Sequence, residues 1–397
     1  MILDCTPGDE ICSRISALKI QMQDLGVDAL FLTHRPDIYY FSGTAQDCYL
    51  YVCVDKDPLL FVKRYLPRAE LETTIGEIVP ILSVKEIPDK ILDAHKKLPS
   101  TMGLAFDVVP VRDFQFYQVL FRNTVFRDGT PLIEACRQIK SPYEIKQMEA
   151  GAVISRKIFN FMAKALVPGV SETEFCGRIE AFARSQGHSG KLQMRHYRSE
   201  GFSFHLMSGK TGGMPGALDS PVCGSGTCTA YPFGAGPKLI LENEPILIDF
   251  GSMVNGYHMD ESRMFVLGKM ETAAMDASLA SMEILNKIQE AMKPGVRIKD
   301  IFDASVKMAN ELGYEKEFLG LPELKSRFVG HGIGLELVEN PILARARPTR
   351  LQEGMVFAVE PKFIFKDRFA AGIESMILIT PTGSRFLSLT ENKVFFC

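Results

Sequence analysis

The stretch that decides the fold is ILIDFGSMVNGYHMDESRMFV, residues 246–266. Two apolar runs flank the dipeptide Asn255-Gly256, and each run carries one aspartate, Asp249 or Asp260. Asn-Gly between extended apolar runs is typical of a two-residue β-hairpin turn, because both residues tolerate positive φ angles. The stretch therefore predicts a buried β-hairpin with an acidic side chain in each strand.

The register of this hairpin places both aspartates on one face of the sheet. With Asn-Gly as the turn, Asp260 lies opposite Gly251, which is two residues from Asp249. Side chains two residues apart in a strand point to the same side, so the carboxylates are diagonal neighbours with backbones about 7–8 Å apart. Two inward carboxylates at this separation repel each other unless they are protonated or hold a cation. The hairpin therefore predicts a cation site.

The C-terminal part of the chain supplies a second acidic hairpin. The stretch MVFAVEPKFIFKDRFAAGIESMILI, residues 355–379, carries Glu360 and Glu374 in two apolar runs on either side of Lys366-Asp367. Because these runs have their midpoint at the Lys-Asp turn, the two glutamates are expected nearly opposite each other. The second hairpin thus repeats the arrangement of the first.

A histidine lies between the two hairpins, in FVGHGIGLELVENP, residues 328–341. Its neighbours are glycines, which allow the backbone to approach other groups closely. Four buried carboxylates and one histidine form the oxygen-rich ligand set of a two-metal site. The predicted metal-binding residues are Asp249, Asp260, His331, Glu360 and Glu374. Hard oxygen ligands favour Mn²⁺, with Co²⁺, Zn²⁺ and Fe²⁺ as alternatives because the affinity order of divalent ions works against Mn²⁺.

The C-terminal part also contains an internal repeat. ALVPGVSETEF, residues 165–175, and AMKPGVRIKDIF, residues 291–302, share the pattern A-x-x-P-G-V. Each copy stands between two helical patterns and precedes one of the acidic hairpins. We therefore predict an α+β domain made of two halves, related by pseudo-two-fold symmetry, whose hairpins meet at a common centre.

The N-terminal part of the chain has a different pattern. Helical and extended apolar segments alternate up to about residue 130, which predicts an α/β domain with a mostly parallel core. Ser141, Pro142 and Glu144 form the signature of a capped helix start. The predicted domains are therefore residues 1–137 and residues 138–397.

Composition excludes several functional classes. The 397 residues carry a formal net charge of -3, which provides no broad basic surface for nucleic acid. The nine cysteines form no CxxC pair, the first residues lack the apolar segment of a secretory signal, and no apolar run is long enough to span a membrane. We therefore expect a cytoplasmic protein with no nucleic-acid or membrane partner.

The motifs resemble those of the pita-bread metallopeptidase family, in its Xaa-Pro aminopeptidase, prolidase and creatinase-like branch. The resemblance rests on the order Asp, Asp, His, Glu, Glu and on four stretches, LIDFGSMVNGYHMDESR, GHGIGLELVENP, MVFAVEP and GIESMILIT. In addition, RISALKIQMQDLGVDALFLTHRPDIYYFSGT, residues 14–44, resembles the creatinase-type N-terminal domain. The resemblance covers nearly the whole chain.

This resemblance implies a dinuclear hydrolase that removes the N-terminal residue from peptides with proline in second position. Asp260 and Glu374 would bridge two divalent ions, with Asp249 on one ion and His331 together with Glu360 on the other. A hydroxide between the ions would be the nucleophile, and Glu360 would be the general base. The resemblance also implies a homodimer.

Two auxiliary histidines of the family are absent. One position is occupied by Val338, and the other falls on Gly216 or on Pro232 or Phe233, in an expanded loop at residues 208–237. His258 shares the sheet face of Asp260 and is one candidate to replace them. His205 and, further, His196 precede the expanded loop and are the others.

Four more side chains have predicted places. Arg263 is expected to support a metal-binding residue from behind. Surface or loop positions are expected for the remaining histidines, His34, His95 and His188.

Two alternatives to peptidase activity stay open from the sequence. The first is a creatinase-like C–N hydrolase that acts on a small non-peptide substrate. The second is a non-catalytic binding protein of the same fold, which the absence of the two auxiliary histidines makes plausible. Both alternatives share the predicted fold and differ from the peptidase in what the centre does.

Overall fold

The structure, a computed structural model, describes residues 5–196, 198–199, 201, 204–216, 218 and 220–397. Two compact units divide the chain: Met1–Arg137 with Arg195–Ser199, and Gln138–Met194 with Glu200–Cys397. The sequence-based boundary falls between the same two residues but leaves the short segment at 195–199 in the second domain. Within the described residues, no helix combines the length and apolarity needed to cross a bilayer.

The first unit contains one sheet and its covering helices. Its described helices are α1 (Gly8–Asp24), α2 (Arg35–Ser42), α3 (Leu66–Glu72), α4 (Ile87–His95), α5 (Val111–Leu120) and α6 (Thr130–Arg137). Its described strands are β1 (Ala29–Leu32), β2 (Cys48–Cys53), β3 (Leu59–Val62), β4 (Glu77–Pro80), β5 (Thr101–Leu104) and β6 (Val125–Asp128). The strand order across the sheet is β4-β3-β2-β1-β5-β6.

This sheet is mixed, where the sequence predicts a mostly parallel core. Strand β1 runs parallel to β5, β5 parallel to β6 and β3 parallel to β4. The central strands β1, β2 and β3 are antiparallel neighbours. Residues 54–58 connect β2 to β3, and this connection is too short for the crossover that a parallel pair requires. The alternation of helices and strands alone does not reveal this local hairpin.

The second unit contains two helix pairs and several antiparallel strands. Its described helices are α7 (Pro142–Ala165), α8 (Glu172–Ser185), α9 (Thr272–Ala291) and α10 (Ile298–Glu311). Its described strands up to residue 344 are β7 (Phe204–Ser208), β8 (Ile246–Val254), β9 (Tyr257–Val266), β10 (Gly320–Leu321), β11 (Leu324–Lys325), β12 (Phe328–Gly332) and β13 (Glu339–Ala344). The C-terminal strands are β14 (Val356–Val359), β15 (Lys362–Phe365), β16 (Phe369–Gly372), β17 (Ser375–Thr380), β18 (Gly383–Phe386) and β19 (Phe395–Phe396).

The internal repeat corresponds to two helix pairs, each followed by a hairpin. Helix α7 connects to α8 through Gly169, and α9 connects to α10 through Gly295, with φ angles of 84° and 87°. A residue with a Cβ rarely adopts these angles, so each glycine permits the turn between its two helices. Strands β8 and β9 follow the first pair, and strands β14 to β17 follow the second. The predicted duplication is confirmed.

Side chains of strand β8 point alternately to its two faces. One face packs against the first helix pair of this unit and the other against the second. Ile246, Ile248 and Phe250 pack against helices α7 and α8 in one apolar cluster. Leu247, on the opposite face, belongs to the cluster that α9, α10 and the second hairpin form. Asp249 lies two residues after Leu247 and therefore points to the same face of the strand. The strand pattern therefore turns this aspartate towards the second half of the unit.

Candidate active site

The first hairpin has the predicted turn and register. Asn255 and Gly256 have positive φ angles of 51° and 85°, as a type I′ turn requires. Strands β8 and β9 pair with Gly251 opposite Asp260. Both parts of the prediction are confirmed, and the register places Asp249 and Asp260 diagonally on one face.

The second hairpin is built from two consecutive ladders. Strand β14 pairs with β17, where Val359 lies opposite Ser375, and β15 pairs with β16, where Lys362 lies opposite Gly372. Between these ladders, Glu360 and Glu374 occupy facing positions, as predicted. An antiparallel bridge between Ser262 and Glu374 then links the first hairpin to the second. The duplicated halves therefore meet at the acidic residues.

His331 enters the same centre from strand β12. This strand pairs with β14, with His331 opposite Ala358. Its Nδ1 lies 3.0 Å from the carbonyl oxygen of Gly332, and a carbonyl can only accept, so Nδ1 carries the proton. The other nitrogen, Nε2, lies 3.7 Å from Oδ2 of Asp260. The backbone contact thus fixes the tautomer that leaves Nε2 available as a ligand atom.

Three of the five predicted residues form a cluster suited to one metal ion. Ligand atoms of Asp260, His331 and Glu374 all lie within 4.8 Å of one another. These residues are only 7%, 4% and 1% exposed. Two carboxylates and one imidazole are ligands that first-row divalent ions accept. The residues present therefore fit one divalent ion at this position.

The other predicted residues surround a lysine. Nζ of Lys362 lies 2.8 Å from Oδ2 of Asp249, 2.8 Å from Oε2 of Glu360 and 2.8 Å from Oε2 of Glu374. The Lys362 side chain is 0% exposed. Lys362 is not among the site residues predicted from the sequence. The signal was available, because Lys362 follows Glu360 by two residues in an extended run and therefore shares its face.

The pKa values of the centre reflect burial and dense charge. Burial and repulsion by Glu374 and Asp249 raise the pKa of Asp260 well above its usual value. Burial also raises the pKa of Glu374, to about 8, although Lys362 opposes the shift. For Asp249, burial acts in the same direction, but the ammonium of Lys362 and the contact with His205 outweigh it, so the pKa is lowered. Lys362 alone therefore does not balance the carboxylates around it.

A buried arginine supports Glu374, the residue shared by the metal-binding cluster and the contacts of Lys362. Arg263 is fully buried and donates hydrogen bonds to the main-chain carbonyls of Glu374, Ser262, Thr390 and Glu391. The hydroxyl of Ser262 donates to Oε2 of Glu374 at 2.9 Å. These contacts hold the backbone and one oxygen of Glu374, which agrees with the supporting role predicted for Arg263.

Two of the three candidate auxiliary histidines, His205 and His258, differ in their surroundings. His205 lies opposite Asp249 across strands β7 and β8, with Nδ1 3.8 Å from Oδ2 of Asp249, so the structure brings it to the centre. For His258, Nε2 accepts from the backbone N–H of Gln193 at 2.9 Å, and Nδ1 lies 3.0 Å from the carbonyl of Gly334. The catalytic role predicted for His258 does not fit this arrangement, because both ring nitrogens bind main-chain groups.

The remaining positions predicted from the sequence differ in exposure and in local contacts. Val338 is 36% exposed, and His196 is exposed within the segment assigned to the first unit. His34 forms an ion pair with Asp37. His188 lies in the loop that follows helix α8, as predicted, although it is only 4% exposed, whereas the prediction for His95 is wrong because it is the last residue of helix α4 and is only 8% exposed.

The expanded loop at residues 208–237 has no histidine to supply. Residues 217 and 219 of this loop lie outside the described part of the chain. The printed sequence alone shows that no histidine occurs in it. A replacement for the missing auxiliary histidines therefore has to come from another segment, and His205 is the predicted candidate that lies beside Asp249.

Two acidic hairpins and a histidine strand, joined at a buried metal-binding cluster, define a metallopeptidase catalytic domain. Residues 146–381 match metallopeptidase family M24, and residues 14–139 match the creatinase/prolidase N-terminal domain. The chain belongs to this metallopeptidase family. The predicted family, two-domain fold and enzyme class are confirmed.

Relatives and solved structures span almost the whole chain. The chain is 26% identical over 387 residues to an Xaa-Pro dipeptidase of Pyrococcus furiosus, and the match covers 96% of this chain and 99% of the relative. An Xaa-Pro dipeptidase of Lactobacillus helveticus is 24% identical over 391 residues, covering 96% and 98%.

Solved structures show the same fold. The Xaa-Pro dipeptidase from Bacillus anthracis superimposes with a TM-score of 0.84 at 22% identity, covering 98% of this chain and 100% of that one. The prolidase from Pyrococcus horikoshii superimposes with a TM-score of 0.80 at 23% identity, covering 96% and 99%. At these identities the structural likeness establishes the fold.

Proposed function

We propose that this protein is a metal-dependent peptidase that hydrolyses the bond between an N-terminal residue and proline. The observation that carries the proposal is the convergence of Asp260, His331 and Glu374 into one buried cluster, with Glu360 and Asp249 beside it. Family membership supports the reaction class. The Xaa-Pro dipeptidases that match over nearly the full length support the substrate class.

The residues of the centre have distinct proposed roles. A divalent ion held by Asp260, His331 and Glu374 would supply an activated water and polarise the scissile carbonyl. Glu360 is the proposed general base. Its Oε2 accepts from Lys362, so Oε1 is the atom that would take the proton and pass it to the leaving nitrogen. His205, beside Asp249, is the proposed donor to the substrate.

A peptide panel tests this function. The purified protein is treated with a chelator, reloaded with Mn²⁺, Co²⁺ or Zn²⁺, and given Xaa-Pro dipeptides, Xaa-Pro tripeptides and matched Xaa-Ala peptides. We expect hydrolysis of the proline peptides only after metal is restored. Metal binding without cleavage of any peptide would overturn the proposal. It would leave the creatinase-like hydrolase and the binding protein as the alternatives.

Glu360→Gln tests the general base. We expect kcat on an Xaa-Pro dipeptide to fall by about 10²–10⁴-fold, because proton transfer by a positioned carboxylate contributes on that order. The metal content should stay unchanged, since Glu360 contacts Lys362 rather than the three-residue cluster. Glu353→Gln, at an exposed turn in the same segment, is the matched control and should keep full activity. Full activity in Glu360→Gln would exclude this role.

A further inference from the structure

We propose that the Lys362 ammonium permanently occupies one of the two cation positions of this fold, so that the centre binds a single divalent ion. The inference rests on the proposed function for its meaning in catalysis, but the number of ions bound is independent of activity. The sequence predicts two ions held by the same five side chains. The geometry points instead to one exchangeable ion and one covalently attached cation.

The contacts of Lys362 are those of an ammonium group. Three oxygens from three different carboxylates lie at 2.8 Å from Nζ. An ammonium has three N–H donors and no acceptor, so three carboxylate oxygens use all its donors. A neutral amine would direct a lone pair at one of these oxygens. The contact set therefore specifies a positive charge at this point.

Backbone position holds Lys362 in the centre. It lies opposite Gly372 across strands β15 and β16. A Cβ on Gly372 would lie 2.6 Å from Cγ and 3.0 Å from Cα of Lys362, so only glycine leaves room for the lysine stem. Lys362 follows Glu360 and Gly372 precedes Glu374, each by two residues. The lysine and its accommodating glycine therefore belong to the same hairpin as the two glutamates.

Lys362 contacts the residues that a second ion would need. Under the two-ion arrangement, Asp249 belongs to one ion, and Glu360 with His331 belongs to the other. In the structure, Asp249 and Glu360 both bind Lys362, while His331 remains with Asp260. Glu374 belongs to both groups. One divalent ion together with Lys362 supplies three positive charges against four carboxylates, so that most of the negative charge is compensated without a second ion.

A lysine cannot replace everything that a metal ion does. An ammonium donates hydrogen bonds but has no open coordination position, so it cannot bind a carbonyl or activate water. Lys362 instead holds Asp249, Glu360 and Glu374 in fixed positions. It acts as a positioning residue, and the chemistry depends on the ion held by Asp260, His331 and Glu374.

Metal counting on the wild-type protein is the primary test. The chelator-treated protein is loaded with Mn²⁺, dialysed, and analysed for metal per chain by mass spectrometry. We expect one ion per chain and the electron paramagnetic resonance signal of an isolated Mn²⁺. Two ions per chain with a spin-coupled signal would overturn the inference, and so would the absence of bound metal.

Variants of Lys362 separate the effect of its positive charge from the effect of its side-chain volume. Lys362→Ala opens the position, and we expect a second ion and a spin-coupled signal. Lys362→Met removes the charge but fills a similar volume, and we expect it to bind no second ion. One ion per chain in folded Lys362→Ala, or two in Lys362→Met, would contradict the inference. If Lys362→Ala does not fold, the wild-type count and its spectrum decide the question alone.

A matched control and the peptide assay complete the design. Lys366→Ala removes an exposed lysine from the same hairpin and should bind one ion, like the wild type. Two bound ions per chain together with Xaa-Pro cleavage would support the proposed function and contradict the single-ion inference. One bound ion per chain without Xaa-Pro cleavage would support the inference and contradict the proposed function.

Discussion

Asp37 is a buried carboxylate that depends on the positive groups around it. It is 0% exposed and pairs with Arg137 at 2.6 Å, with Arg195 at 3.1 Å and with His34 at 3.2 Å. Burial alone would raise its pKa, but the hydrogen bond from His34 and the charges of both arginines outweigh burial, so the pKa lies below the usual value. Arg195 comes from far along the chain, and this contact is one that joins its segment to the first unit.

The lowered pKa of Asp37 predicts a specific acid sensitivity. Its stabilising contribution is complete above the unfolded-state pKa of about 3.9 and declines as the pH falls towards the lower folded-state pKa. Asp37→Asn should lower the free energy of unfolding by about 3–5 kcal/mol at pH 7, because it removes the negative charge of the buried ion pair with Arg137. Urea unfolding at several pH values measures both effects. The difference between wild type and variant should shrink below about pH 4.

An exposed ion pair provides the control for Asp37. Asp47 pairs with Arg64 at 2.9 Å, with side chains 39% and 80% exposed. Asp47→Asn should change the free energy of unfolding by about 0–1 kcal/mol, as is usual for exposed pairs. Equal effects of the two substitutions at pH 7 would show that burial of Asp37 does not determine its contribution.

At the scale of elements, Glu172 joins the start of helix α8 to the end of strand β7. This fully buried carboxylate accepts from the backbone N–H and the hydroxyl of Ser208 through Oε1 at 2.8 Å and 2.7 Å. Its Oε2 accepts from the backbone N–H of Gly236 at 3.0 Å. Because strand β7 also carries His205, Glu172 helps to position the edge of the sheet beside the acidic centre.

Glu172→Gln should loosen this connection. The amide has one acceptor oxygen, and its NH₂ group would face an N–H donor, which costs about 1–3 kcal/mol for a buried group left without a partner. We expect faster hydrogen exchange in residues 204–211 and at the start of α8. Glu174→Gln, in the same turn with a side chain that is 54% exposed, should leave exchange unchanged. Similar exchange in both variants would argue against this role.

The elements of the centre could be predicted where local chemistry determines them. Asn255-Gly256 fixes a turn, and the two-residue period of a strand then fixes the register, so the pairing opposite Asp260 followed from the sequence alone. His258 shows the limit of this reasoning. Parity gives the face of its side chain but does not reveal that Gln193 and Gly334, from distant segments, bind both ring nitrogens.

Lys362 was missed for a different reason. It lies in the quoted hairpin, two residues from Glu360, so the parity argument applied to it as well. A lysine in an apolar strand is ordinarily interpreted as an edge residue, because burying its charge is costly without carboxylate partners. Those partners come from three separate points of the chain, and Asp249 lies 113 positions away. The tertiary contact, rather than any local pattern, determines where this side chain lies.

At the scale of the molecule, metal should stabilise one unit and not the other. The predicted ion binds residues of the second unit, where the carboxylates outnumber the positive groups around them. An ion that binds only the folded state contributes about 4 kcal/mol when its free concentration is a thousand times Kd. Peptide-resolved hydrogen exchange with chelator or Mn²⁺ should therefore show metal-dependent protection in the second unit alone.

The control for this prediction removes a metal-binding residue. His331→Ala should abolish the metal-dependent protection, because it deletes one of three clustered ligands. Protection that persists in this variant, or that extends equally to the first unit, would show that the ion acts elsewhere. The homodimer that the family resemblance implies stays a prediction, which sedimentation of the metal-loaded protein can check.

Lys362 also bears on how the protein is made. During synthesis, Asp249 and Asp260 leave the ribosome long before Glu360 and Glu374, and the acidic centre cannot close until the last hairpin is available. That hairpin delivers its own counterion together with its two glutamates. We therefore expect a newly made chain to fold its catalytic domain before it has bound any metal ion. Metal binding then follows folding and does not limit the rate of folding.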